Sequence, residues 1–388
     1  MTHLSAKTVR GWYKIHKWSS LICTAFLLMA CITGLPLIFG DELRALLEPH
    51  VAPASVAPGS PTASIDKMVA VAQASFPSLR PFNVYWDDDE PRVFVNMSPT
   101  AEPKDGEVRS AVFDVHTGRL LETPEDGFSF VSFCLRLHME LFMGLPGELF
   151  MGVMALSFVV SLISGVLVYG PFMRRLRFGT YRSDAAPRTR WFDLHNLLGI
   201  VTLTWALVVG ATGVMNAIST PLFGIWRAQT MPAILAPYRN KPAPTHFQSV
   251  DATVQQVSTA LPKMRIASVL FPNKVFGSPQ HYLIWTEGKT PLTSQLMTPA
   301  LVDVQTGAMI VSKGLPWYLR ALEVSRPLHF GNYGGLPLKL LWALFDLALI
   351  VVLVSGVYLW LIRRRAPVEQ ELNRLVRAEQ QSVEVLSR

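Results

Sequence analysis

The sequence is short of charge. Lys, Arg, Asp and Glu make up 16% of its 388 residues, against roughly 25% in an ordinary soluble domain, a deficit that argues against a water-soluble enzyme. Cysteine is scarce too: the three present are too few for a disulfide scaffold. Glycine follows no regular period, which excludes a collagen-like chain. Half of the residues are hydrophobic, which excludes disorder. A length of this order allows two or three domains.

What the chain does have is four long apolar runs, Leu21 to Phe39, Leu145 to Tyr169, Leu197 to Ile218 and Leu336 to Ile362. Each is close to the ~20 residues needed to cross a bilayer core, where only helices satisfy their own backbone. The formal net charge of +7 would fit nucleic acid, but its distribution fits a lipid bilayer. Lys and Arg gather beside span ends that face the cytoplasm, and here they gather at Lys7, Arg10, Lys14 and Lys17, at Arg174, Arg175, Arg177, Arg182, Arg188 and Arg190, and at Arg363, Arg364 and Arg365. Both termini are therefore expected in the cytoplasm. Leu28-Met29-Ala30-Cys31 loosely resembles a lipoprotein cleavage box, but the run around it is long for a signal peptide.

The expected order is a cytoplasmic N-terminus (1–20), a first span (21–40), an outer module (41–135), an outer histidine segment with the second span (136–170), a cytoplasmic loop (171–194), a third span (195–219), a second outer module (220–326), a second histidine segment with the fourth span (327–362) and a cytoplasmic tail (363–388). The first outer module has 7 basic and 15 acidic residues, the second 10 and 4. Long domains translocate largely regardless of charge, so the basic second module is compatible with this topology and favours an anionic ligand.

The halves of the chain repeat one another. Trp12-Tyr13-Lys14-Ile15-His16-Lys17 matches Trp191-Phe192-Asp193-Leu194-His195-Asn196, and Thr33-Gly34 and Thr212-Gly213 follow the two histidines at equal distance. Leu137-His138 precedes Gly144-Leu145-Pro146 as Leu328-His329 precedes Gly335-Leu336-Pro337, and Ser164-Gly165-Val166 corresponds to Ser355-Gly356-Val357. In the outer segments, helical patterns begin at Asp66 and Asp251 and end at Phe76-Pro77 and Leu261-Pro262. Strand-like stretches follow at Phe82 to Trp86, Arg92 to Met97, Ile266 to Phe271 and Tyr282 to Trp285. Asp114-Val115-His116-Thr117-Gly118 and Asp303-Val304-Gln305-Thr306-Gly307 suit tight hairpins, Asp accepting turn hydrogen bonds and Gly supplying positive φ. Each outer segment reads as a small α+β module, and Pro49 to Ser64 as linker.

Nine histidines are present. His3, His50, His116, His246 and His281 fall in tails, loops or modules and read as solvated or structural. The other four occupy matched positions, His16 and His195 at the inner ends of spans one and three, and His138 and His329 just before the outer ends of spans two and four. Two imidazoles facing each other make a six-coordinate haem centre suited to electron transfer, and helix bundles build cofactor sites in this way. Headgroup-facing polar tips are the alternative. With no Cys-x-x-Cys-His the haems would be of b type, and two ligands per level are too few for a zinc or copper site. Arg136 and Arg326 are candidates to pair with haem propionates or an anionic chelate, as are Lys14, Lys17 and Arg190 at the inner level, with plain headgroup anchoring as the alternative. Asp346 is the one acid well inside a span and reads as a proton or quinol site or as an acid buried against a polar neighbour. Tyr85, Trp86, Tyr282, Trp285, Trp317 and Tyr318 read as module core and interfacial belt.

These residues carry a resemblance. The chain resembles the PepSY-associated transmembrane family from about Arg10 to Arg365, through the histidine near one end of every span and the Asp-x-x-Thr-Gly closures. Within that family it is most similar to the inner-membrane siderophore-iron reductases, which are di-haem proteins. The resemblance implies a mainly α bacterial inner-membrane protein, with a four-helix unit built from a duplicated two-span repeat and two periplasmic α+β PepSY-like modules. It implies two b-type haems held by His16 with His195 and by His138 with His329, a ferric siderophore as substrate, and a quinol or a cytoplasmic reductase as electron donor. Two other readings stay open: a siderophore uptake permease, and a membrane-anchored binding module with structural haem. Four unbroken spans with one internal acid make a poor transporter.

Overall fold

The computed structural model describes residues 5–48, 50–57, 59–87, 90–101, 103, 106–124, 127–173, 179–238, 241–242, 244, 246–273, 278–290, 293–294, 296–311, 315–362 and 377. His3, Pro49 and the basic residues Arg174, Arg175, Arg177, Arg363, Arg364 and Arg365 lie outside them. In chain order the elements are α1 (Ala6–Ile38), α2 (Gly40–Leu47), α3 (Ile65–Ser75), β1 (Arg80–Trp86), β2 (Arg92–Ser98), β3 (Arg109–Asp114), β4 (Leu120–Glu122), α4 (Phe130–Glu140), α5 (Leu145–Met173) and α6 (Pro187–Ala217). They continue with α7 (Ser219–Leu235), α8 (Val250–Ala260), β5 (Met264–Leu270), β6 (His281–Gly288), β7 (Met297–Asp303), β8 (Met309–Val311), α9 (Trp317–Phe330) and α10 (Gly335–Leu361). Two compact units result: Met1–Asp41, Phe130–Thr220 and Ser325–Arg388 form one, Glu42–Ser129 and Pro221–Val324 the other.

The first unit is helical. Lys7–Ile38, Leu145–Gly170, Pro187–Ala217 and Gly335–Leu361 are long and apolar enough to cross a membrane, so this is a multi-pass membrane protein. Local chemistry sets the helix starts. Ser5 caps α1 by accepting Thr8 N at 3.2 Å, and Pro187 opens α6, where its missing N–H costs nothing. The two Gly-Leu-Pro triplets act alike: Gly144 and Gly335 have positive φ of 63° and 58°, which glycine adopts freely, and Pro146 and Pro337 sit in the first turns of α5 and α10. Between the spans Cys23, Cys31, Met154, Phe158, Trp205, Ala206, Leu349 and Leu353 form the buried core.

The second unit is built on one antiparallel sheet of eight strands, in the order β4-β3-β2-β1-β5-β6-β7-β8. The two α+β modules expected from sequence are present as its two halves, joined edge to edge where β1 pairs with β5 (Val84 opposite Val269). Alternation along each strand sends Val93, Val95 and Met97 of β2 and Tyr282 and Ile284 of β6 into a common core with Met68 and Ala72 of α3 and Val257 of α8. The Asp-x-x-Thr-Gly segments close β3–β4 and β7–β8. Asp114 Oδ1 accepts from His116 N at 2.9 Å and Thr117 N at 2.7 Å, Asp303 Oδ1 from Gln305 N and Thr306 N at 2.8 Å each, and Gly118 and Gly307 have φ of 68° and 70°. Burial alone would push both carboxyls up, but these donors outweigh it and hold them below the usual carboxylate range. The aromatics divide: Tyr282 is buried, Tyr85 stacks on Phe94, Trp285 packs with Phe223 and Trp226 of α7, and Trp317 is exposed.

Helices α3 and α8 cap each other. Asp251, in the first turn of α8, accepts from Ser64 Oγ at 2.5 Å, Ile65 N at 2.8 Å and Asp66 N at 3.2 Å at the start of α3. Asp66 returns the arrangement, accepting from Ser249 Oγ, from Val250 N at 2.8 Å and from Asp251 N at 3.2 Å. Each carboxylate thus satisfies orphan N–H groups of the other helix and sits at the positive end of its dipole. Asp66→Ala or Asp251→Ala should each cost about 1 kcal/mol and lower the unfolding temperature by a few degrees, and the double variant should cost less than the two singles added together. Calorimetry of the detergent-solubilised protein checks this, and additive effects would show that the caps act independently.

Candidate functional site

The helical unit brings the four matched histidines together in two pairs. His16 of α1 faces His195 of α6 with ring centres 6.5 Å apart and planes at 69°. His138 of α4 faces His329 of α9 at 6.2 Å and 70°. On α1 His138 docks at Ala30, fourteen residues past His16, and on α6 His329 docks at Val209, fourteen past His195. Fourteen residues of helix rise about 21 Å, so the pairs occupy separate depths.

All four imidazoles are held in one way. His16 Nδ1 lies 2.9 Å from the carbonyl oxygen of Ser161, His138 Nδ1 2.9 Å from that of Ala30, His195 Nδ1 3.0 Å from that of Val352 and His329 Nδ1 3.0 Å from that of Val209. A carbonyl oxygen only accepts, so each Nδ1 carries the hydrogen and each Nε2 keeps its lone pair. The hydroxyl three residues further along donates to the same carbonyl: Ser164 to Ser161 at 3.0 Å, Thr33 to Ala30 at 3.2 Å, Ser355 to Val352 at 2.8 Å and Thr212 to Val209 at 3.1 Å.

The next residue is glycine in every case, and the ring lies against it. A Cβ at Gly34 would come 3.1 Å from His138 Cε1, at Gly165 3.1 Å from His16 Cε1, at Gly213 3.3 Å from His329 Cε1 and at Gly356 3.4 Å from His195 Cε1. The repeated Thr-Gly and Ser-Gly pairs are therefore the seats of the histidines. Sequence spacing exposed the pairs but not their use, because each seat serves a histidine of another helix: Thr33-Gly34 follows His16 yet seats His138.

Such a pair suits a metal held from two opposite sides. Two imidazoles each about 2 Å from one metal have ring centres about 6 Å apart, as both pairs have. An Nδ1–H given to a carbonyl is the usual outer support of a histidine ligand, fixing its tautomer and raising the basicity of Nε2. Among the described residues no three His, Cys, Asp or Glu side chains converge as a metal-binding group, so the donor set is two nitrogens per level. That suits haem iron, whose other four ligands come from the macrocycle.

The remaining candidates have other surroundings. Arg136 gives Nε to Glu140 at 2.9 Å with its guanidinium 5.4 Å from the Phe142 ring centre, so its charge has partners on and beside its own helix. Arg326 is half-buried on α9, Lys14 and Arg190 are exposed, and Lys17 is half-buried beside Trp18. Asp346 is buried. Asp193, two residues before His195, holds the connection into α6: it is buried and receives Arg182 Nε at 2.9 Å, Nη2 at 2.7 Å and backbone N at 3.1 Å. Of the five histidines assigned to tails, loops or modules, His281 is fully buried and bonded to Ser278 Oγ at 2.7 Å.

Four helices long and apolar enough to cross a membrane, in a helical unit that pairs its histidines, together with an antiparallel sheet unit, define a multi-pass membrane protein. The chain belongs to the PepSY-associated TM region family, whose model matches residues 13–363. It is also similar to an uncharacterized protein of Pseudomonas aeruginosa, 26% identical over 265 residues that cover 63% of this chain and 67% of the relative.

The seats differ in room, and that yields a prediction. Gly34→Ala and Gly165→Ala put a methyl group 3.1 Å from a ring that is tied by its Nδ1, an overpacking of about 1–3 kcal/mol. Gly356→Ala, at 3.4 Å, makes an ordinary contact and should be nearly silent. Unfolding temperatures in detergent should rank the variants in this order, and equal losses at all three positions would contradict the seat geometry.

Proposed function

We propose that the protein is an inner-membrane, haem-containing reductase that passes electrons across the bilayer to ferric siderophores in the periplasm, releasing Fe(II) for uptake. The observation that carries this reading is the pair of imidazole pairs at two depths, with every Nδ1 committed to a helix carbonyl. His16 and His195 would hold one b-type haem, and His138 and His329 the other. Bound haem supplies a one-electron couple. The chain's own contribution is to fix the tautomers, to keep the rings facing and to exclude water between the levels with Phe158, Trp205, Leu349 and Leu353.

The matched helix-and-strand halves support an origin by duplication, and the basic flanks support cytoplasmic termini with the sheet unit in the periplasm. The excess of basic residues in the second outer segment favours an anionic chelate there, and Arg326 precedes His329 by three residues. Siderophores prefer Fe(III), the harder ion, to Fe(II), so one-electron reduction loosens the metal without breaking the chelator. The electron donor is a quinol or a cytoplasmic reductase. Nothing in this assignment calls for nucleic acid.

Dithionite-reduced protein in detergent, freed of excess reductant, should be reoxidised by a ferric siderophore under anaerobic conditions. The Ga(III) chelate, similar in shape and charge but not reducible, should bind without oxidising it. Haems that stay reduced with every ferric siderophore tried, together with uptake of intact Ga(III) chelate by proteoliposomes, would replace the reductase with a permease.

A further inference from the structure

Besides Asp193, which Arg182 holds, one more acid is buried among the described residues of the spans, and the electron route makes no use of it. Asp346 lies on α10 with 7% of its surface exposed, and its Oδ2 has no hydrogen-bond partner. The Cys31 thiol of α1 lies beside the carboxyl group, and a thiol is at most a weak donor. An acid buried for structural reasons has its oxygens satisfied. Two more polar atoms in the core of the spans are also unpartnered, Nε1 of Trp205 and Nε1 of Trp342. Trp342 is four residues before Asp346 and so shares its helix face, and its ring centre is 6.4 Å from that of Trp205. Both indoles belong to the core cluster that holds Cys31, and polar atoms left open in an apolar core are where a water or a proton is taken up.

The position links both histidine levels. Cys31 directly follows Ala30, whose carbonyl seats His138. Trp342 lies against the backbone of Gly331, two residues after His329. Val352, six residues beyond Asp346, seats His195.

Few charges compete with the carboxyl group there. From α1 the titratable groups are Cys31 and, two turns inward, Cys23, with no Asp, Glu, Lys or Arg between Lys17 and Asp41. From α6, beyond His195, residues 196–217 offer only neutral groups. The short turn Asn332–Gly334 carries Tyr333, and α10 itself carries Lys339 and Tyr358 nearer its ends.

We propose that Asp346 is a redox-linked proton acceptor: its open oxygen takes up one proton when the histidine-paired sites gain an electron and releases it when the electron leaves. An electron added to a low-dielectric interior repels a nearby carboxylate, and a proton from water, forming an O–H bond on Oδ2, restores the charge. The electron comes from the quinol or reductase donor and leaves to the ferric chelate, so each turnover returns the proton. The inference rests on the haem reading of the preceding section.

Redox titration of the full-length protein, followed by haem absorption across roughly pH 5 to 9, tests it. The midpoint potential of at least one haem should fall as pH rises, by up to one proton per electron, and Asp346→Asn should abolish that slope. Reduced-minus-oxidised infrared spectra should show a protonated-carboxyl C=O band that the variant lacks. Should Asp346→Asn fail to fold, the wild-type infrared difference decides: a carboxyl band appearing on reduction supports the proposal, and its absence overturns it. Midpoints independent of pH, or a slope that survives in Asp346→Asn, also overturn it while leaving the haem reading intact. A protein that binds no haem contradicts both.

Discussion

The helical unit depends on a single hydrogen bond made four times, from an imidazole Nδ1 to a helix carbonyl. A backbone carbonyl has two lone pairs, so one already used in its helix can accept again if the donor comes close. That closeness leaves little room four residues along, least at Gly34 and Gly165, where a side chain would crowd the ring, and the hydroxyl one position earlier joins the same carbonyl. The consequence reaches helix packing as well. Small and hydroxyl-bearing residues are also what lets membrane helices approach each other, so Thr33-Gly34, Ser164-Gly165, Thr212-Gly213 and Ser355-Gly356 serve helix contact and ring orientation at once. Because α1 and α6 each carry a histidine near one end and a seat fourteen residues later, the two depths are set by helix length alone.

The sheet unit uses a comparable exchange. Asp66 and Asp251 each complete the start of the other's helix, and β1 and β5 supply each other's missing edge. Neither half would leave its strand edge or helix start satisfied by itself, so joining them removes an exposed edge and two sets of orphan donors.

Much of this was legible in the chain. The four spans follow from apolar run length, the hairpin closures from Asp and Gly at fixed offsets, and the histidine pairing from matched positions in the two halves. What was not legible depends on contacts remote in sequence. Period-two alternation marks β1 and β5 as strands but says nothing of which edge meets which. The short helices α4 and α9 carry His138 and His329, yet their exposed and buried residues mix too closely for a clear pattern: Phe133 and Leu135 are exposed beside buried Cys134. The seats were visible as repeated dipeptides, but their partners lie across the bundle. Asp193 was visible only as a charge, and the structure makes it the anchor of Arg182.

The central claim is that His16 with His195 and His138 with His329 form two separate metal-binding pairs. Reduced-minus-oxidised absorption and electron paramagnetic resonance spectra of the purified protein and of its His16→Ala and His138→Ala variants test it most directly. The account predicts two low-spin bis-imidazole haems in the unaltered protein, with one lost or altered in His16→Ala and the other in His138→Ala. A colourless protein from cells well supplied with iron and haem, or two variants that affect the same centre, would contradict it.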